Sequence, residues 1–126
     1  MKTAMTFFLF AFAPFIFADN ATIYNASFEN AVHHEARISA TFSDIKSPTL
    51  EVMMSRSSPG RYALHEFAKN VYHVSAVDSK GDSLPITRPN AYQWNVGQHD
   101  GQVTISYTLF GDRADGTYSQ IDRSHA

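Results

Sequence analysis

The chain has 126 residues, a formal net charge of −2 and no cysteine. That length bounds it to one domain. The near-neutral charge leaves no electrostatic case for a nucleic acid partner, and the missing thiols exclude a disulfide framework and a cysteine nucleophile.

Residues 1–18 read MKTAMTFFLFAFAPFIFA. Lys2 supplies one positive charge, an apolar run extends from Phe7 to Phe17, and small Ala18 precedes polar Asp19 and Asn20. That order of charge, apolar core and small-residue exit predicts a secretory signal peptide cleaved after Ala18. The run is shorter than the roughly 20 residues a helix needs to cross a bilayer, and Pro14 interrupts it. The expected product is secreted or periplasmic, with no membrane attachment after cleavage. It keeps about 108 residues, with nine basic against twelve acidic side chains. Asn20-Ala21-Thr22 and Asn25-Ala26-Ser27 fit the glycosylation acceptor pattern, which has meaning only in a eukaryotic secretory pathway.

Two-residue periodicity dominates the remainder of the chain. Ala36, Ile38, Ala40 and Phe42 alternate with Arg37, Ser39 and Thr41, the pattern of a strand with one buried face. Leu50, Val52 and Met54 repeat it after the turn signal Ser47-Pro48. Between Asn70 and Val77, Tyr72, Val74 and Ala76 are expected on one face, and Val71 and Val77 on the other. Asp78 to Asp82 is a polar turn. Tyr92, Trp94 and Val96 alternate again, and Val103, Ile105, Tyr107 and Leu109 form the cleanest strand. The loop from Gly97 to Gly101 between these two reads as a hairpin connection.

No stretch keeps a 3.6-residue period over three turns, although Tyr62 to Asn70 suits a short helical turn. The chain is therefore expected to be all-β, an antiparallel β-sandwich of about six to eight short strands spanning residues 19–112. Phe42, Trp94, Ile105 and Tyr107 are expected to meet in its core. Residues 113–126 are polar and turn-rich and read as the start of a linker, with Tyr118 and Ile121 as their apolar content.

The candidates for chemistry are weak. His33-His34-Glu35 lacks the His spacing of the zinc-peptidase helix motif, and adjacent strand residues point to opposite faces. His65-Glu66 meets the same objection, and His73, His99 and His125 are isolated. No nucleophile elbow and no phosphate-binding glycine loop occurs. No catalytic residue, no metal ligand and no cofactor is expected in this chain.

One segment is more specific. Residues 58–71 read SPGRYALHEFAKNV. This resembles a recurring segment in the N-terminal domain of bacterial glycyl-aminopeptidase-type metallopeptidases, the family with a C-terminal PDZ domain. There the run is typically Pro-Gly-Ser-Tyr, then Arg-Glu-Phe-Ala, a basic residue and Asn-Val. Pro59, Gly60, Tyr62, Glu66, Phe67, Ala68, Lys69, Asn70 and Val71 fit it; Arg61 replaces the usual Ser, and His65 stands where Arg is common. The tail from Gly116 to Ala126, GTYSQIDRSHA, is similar to the family's connection to its catalytic domain.

The resemblance implies a β-sandwich packed in cis against a thermolysin-like catalytic domain that holds the zinc, and it carries no catalytic residue onto this chain. It implies an accessory domain of an exported metallo-aminopeptidase acting on peptides with small N-terminal residues. Pro59, Gly60, Arg61, Tyr62, Glu66, Phe67 and Asn70 are then the expected interface motif. The alternative is a stand-alone secreted β-sandwich that binds peptide or glycan or plays a structural part.

Overall fold

The computed structural model describes residues 21–58, 60, 62–114 and 117–126. The expected signal peptide lies outside the described residues, as do Pro59 and Arg61. Among the described residues, seven strands form two antiparallel sheets: β1 (Ile23–Ser27), β2 (Glu35–Phe42), β3 (Thr49–Met53), β4 (Val71–Val77), β5 (Ile86–Asn90), β6 (Gln93–Gly97) and β7 (Val103–Phe110). The larger sheet has the order β1-β2-β7-β4, the smaller β3-β6-β5. Short 3-10 turns occupy Ala31–His33 and Phe67–Asn70. Among the described residues, no helix is long and apolar enough to cross a membrane.

The centre of the larger sheet is the β2–β7 pair, in register from Glu35↔Phe110 to Phe42↔Val103. Its inward face sets small residues opposite large ones: Ala36 faces Leu109 and Ala40 faces Ile105. That alternation of small and large side chains lets the facing sheet pack closely against it. Its outward face is polar, with the Thr41 and Thr104 hydroxyls 2.9 Å apart.

The structure corrects two local expectations. Counting by twos along β4 fails because the register slips between Tyr72 and Ser75. His73 adopts φ +51° there, and the extra residue is a β-bulge. Val71 and Ala76 are consequently both buried in the main core, although they lie an odd number of positions apart. The loop after Gly97 is no hairpin either: β6 pairs with β3 and β5, whereas β7 pairs with β2 and β4. The chain crosses between sheets with Gln98 at φ +59° and Gly101 at φ +101°. The Gly101 carbonyl then accepts a hydrogen bond from the Ile45 amide at 3.0 Å. Crossing places Val96 and Val103, both wholly buried, on opposite sheets of one core.

The main core gathers Ala40, Ala68, Val71, Ala76, Leu84, Trp94, Val96, Val103 and Ile105. Trp94 is 5% and Ile105 2% exposed. Phe42 and Tyr107 pack against this cluster while half-buried. A second, smaller core joins Ala31, Ala36 and Ile121. The C-terminal segment thus folds back on the sandwich where a linker is expected. Asp112 bridges to Gln120, and Ile121, 3% exposed, closes over the start of β2.

Candidate functional site

The most specialised part of the surface lies where β7 ends and β2 and β4 begin. It is built by residues 54–70, by Tyr92 beside β6, and by the C-terminal strap. Beyond β3 the Met54 amide still bonds the Tyr92 carbonyl at 2.9 Å. The chain then leaves the sheet and returns at His65, whose amide donates to the Arg56 carbonyl at 2.9 Å. The described residues between Arg56 and His65 therefore lie in a loop closed at its base. Gly60, at φ +77°, makes the turn in a conformation that L side chains rarely adopt.

The base is held by charge and aromatic contacts. The Arg56 guanidinium pairs with the Glu66 carboxylate and lies 4.6 Å from the Tyr92 ring centroid. The hydrogen bond to Glu66 is the main reason the Arg56 proton is held more tightly than usual. His65 is buried and stacks on Phe67 at 5.2 Å and 26°. Both rings meet Tyr118 edge-on, at 5.8 and 5.2 Å. Lys69 and Arg113 bring their charges 4.2 and 5.4 Å from the Tyr118 centroid, within the range of cation–π attraction. Asn70 lines a shallow hollow beside them, of about 180 Å³, with Lys69, Asp112 and Tyr118.

This cluster ties the 58–71 motif to the strap. The strap is pinned again at its root. The Gly111 amide donates to the His34 carbonyl at 2.8 Å, the Ile121 amide to the Gly111 carbonyl at 2.7 Å, and His34 Nδ1 meets the Ile121 carbonyl at 2.8 Å. The motif residues thus divide. His65, Phe67 and Ala68 turn toward the domain, whereas Tyr62 (108% exposed) and Leu64 (70%) stand in solvent. Glu66 is exposed except for its contact with Arg56.

A second feature is an apolar slot of about 150 Å³ between the sheets. Phe42, Val74, Trp94, Ile105 and Tyr107 line it, and the exposed side chains of Tyr24 and Met53 border it. The four expected core residues all face this slot.

The ionisable groups are arranged for structure. Burial raises the Tyr107 and Tyr72 hydroxyl pKa values further, so both phenols stay neutral at physiological pH. Hydrogen bonds from Ser79 lower Asp100, and those from Ser124 hold Asp122 far below the usual carboxylate range. These shifts move groups away from the neutral pH at which acid–base catalysts work. Among the described residues, no group of three or more His, Cys, Asp or Glu side chains could hold a metal ion. His34 and His125 are engaged with Ile121 and Asp122, and His65 is buried between Phe67 and Tyr118. The donors among the described residues form no zinc site.

The depressed Asp122 gives a pH prediction. Its stabilising effect on the 122–125 turn is full above the unfolded carboxylate pKa of about 3.9. That effect is lost as pH falls toward the lower folded value. The carboxyl carbon of Asp122, whose Oδ1 accepts from the Ser124 amide at 2.7 Å, is expected to titrate only below about pH 4. A midpoint near neutrality would overturn this.

By fold the chain is a two-sheet antiparallel β-sandwich. The family described as Peptidase M61 N-terminal domain matches residues 23–126, and the chain belongs to it. This agrees with the metallopeptidase resemblance carried by residues 58–71. Among solved structures, an aminopeptidase N family protein from Idiomarina loihiensis shares the fold, with a TM-score of 0.69 and 20% sequence identity. The match covers 75% of this chain and 16% of that one. A comparison with curated proteins returned no match.

The structure places Glu66 on Arg56, Phe67 on Tyr118 and Asn70 beside Lys69 and leaves Tyr62 in solvent, and it sets Phe42, Trp94, Ile105 and Tyr107 around the slot. The expectations missed Arg56, Tyr92 and the Lys69–Tyr118 contact. The tail Tyr is visible in the sequence as an apolar residue in a polar stretch, but nothing local says which surface it meets.

Proposed function

We propose that this chain is the non-catalytic N-terminal accessory domain of an exported metallo-aminopeptidase acting on peptides with small N-terminal residues. The observation that carries this reading is the family match over 23–126, which accounts for nearly all of the described chain. The leader-like residues 1–18 support export, and the small-residue preference rests on the sequence resemblance alone. In this reading the zinc belongs to the peptidase region, and the sandwich borders one side of the substrate cleft.

The purified 126-residue product is expected to release no amine from Ala- or Gly-amide substrates, with or without added zinc. Joined to a downstream peptidase region, it should support such hydrolysis. Metal-dependent turnover by the short chain alone would sink the proposal. So would DNA downstream of codon 126 that encodes no peptidase.

A further inference from the structure

We infer that the peptidase region seats on the turn from Phe28 to Val32, where the chain leaves the sandwich, an inference that rests on the function proposed above. Phe28 and Val32 are both exposed. Isolated exposed apolar residues are common, but these two line one hollow of about 330 Å³ together with Ala31 and with Asp122 and Arg123 of the strap. The turn that carries them is fixed. The Ala31 amide donates to the Phe28 carbonyl and the His33 amide to the Asn30 carbonyl, each at 3.0 Å. Ala31 itself is buried in the small core with Ala36 and Ile121. Glu29 and Arg123 stand exposed at the edge of the hollow. An apolar centre with charges of both signs around it has the make-up of an interface core and its rim.

The path of the chain identifies the occupant. Ile121 packs on Ala31 and Ala36, so the strap already covers the inner side of this turn. Asp122 then holds the residues that follow. Its carboxylate accepts from the Ser124 and His125 amides at 2.7 and 2.8 Å, and its own amide donates to the His125 carbonyl at 2.8 Å. Ala126 therefore begins one peptide bond beyond a carbonyl held on Asp122, a residue that lines the hollow. In a domain that precedes its peptidase region, the next residues start beside Phe28 and Val32, and the tether raises their effective concentration there. The leader is the poorer occupant. The chain enters β1 at Ile23, opposite Thr41, and reaches Ser27, opposite Arg37, about 13 Å further on.

Hydroxyl-radical labelling tests this by comparing the short chain with the longer polypeptide in which the peptidase region follows Ala126. Oxidation of Phe28 should be about fivefold or more slower in the long polypeptide, as for a side chain moved into a packed interface core. Val32→Glu sets a carboxylate on the turn and should return Phe28 in the long polypeptide toward its short-chain rate. Val32→Thr keeps the shape of the side chain and should act in the same direction more weakly, which covers the case in which the carboxylate disturbs the turn. Protection that arises at Tyr62 or Met53, with Phe28 unchanged, overturns the inference and leaves the proposed function standing. Phe28 that stays protected in both variants also overturns it. So does protection of Phe28 in the short chain that grows with concentration, since the occupant is then a second copy. The proposed function is judged separately, by whether the long polypeptide hydrolyses Ala- or Gly-amides.

Discussion

Trp94→Ala is expected to destabilise the domain by about 3–5 kcal/mol, the range for deleting a buried large aromatic. Trp94 sits on β6, the middle strand of the smaller sheet, and faces the larger sheet across the core. Val52 is its partner on β3, and the Arg88 guanidinium covers its ring at 4.7 Å. The residue also forms one wall of the inter-sheet slot. Truncation would merge its vacated volume with a space that already exists, so the surroundings gain little by collapsing inward. For a domain near 100 residues the midpoint should fall by about 12 °C or more. The measurement is thermal unfolding followed by far-ultraviolet circular dichroism. A midpoint that does not move would mean that Trp94 is not a core residue, and the slot would become a ligand platform.

Gly111→Ala is the second large effect expected, and its cause is steric. Gly111 lies at the root of the strap, close against the backbone of Ser119. A Cβ added there would come within 2.8 Å of the Ser119 carbonyl oxygen and 3.0 Å of its carbonyl carbon. Backbone cannot rotate away as a flexible side chain can, so strap and strand must separate. Two short contacts then loosen together, Gly111 to the His34 carbonyl and Ile121 to the Gly111 carbonyl. Overpacking of this kind typically costs about 1–3 kcal/mol. The effect should be local in character. The Ile121 amide and the small Ala31–Ala36–Ile121 core should lose exchange protection, while Val96 and Val103 keep theirs. Uniform loss across both cores, or an unaltered Ile121, would contradict this account.

Interior strands are readable because a half-buried strand must alternate. Ala36 to Phe42 and Val103 to Leu109 announce β2 and β7 within a residue of their observed limits. The edge strands β1 and β5 are not readable in the same way. β1, IYNAS, is mostly exposed on both faces, so no alternating pattern is required of it. β5, ITRPN, contains Pro89, which an edge position tolerates because no neighbour needs its amide. The bulge at His73 is hidden because one added residue leaves composition intact and shifts only the phase. The loop after Gly97 looks like a hairpin because turn residues report a reversal of direction, not which sheet the next strand joins. At the candidate site, the 58–71 motif is visible as a family resemblance. Its attachment through Tyr118 is not, since contacts between His65 and a residue more than fifty positions later leave no local mark.

The pairing of β2 with β7 also sets how the domain assembles in time. Glu35 finds Phe110 and Phe42 finds Val103 across roughly sixty to seventy-five intervening residues. Closing loops of that length is entropically costly before any contact rewards it. Folding dominated by such distant pairings usually takes milliseconds to seconds. Until β7 is available, β2 has only the β1 edge beside it, and its Ala36–Ala40 face has no sheet to complete it. The chain is therefore expected to stay open until residue 110 is available and then to close in one cooperative step.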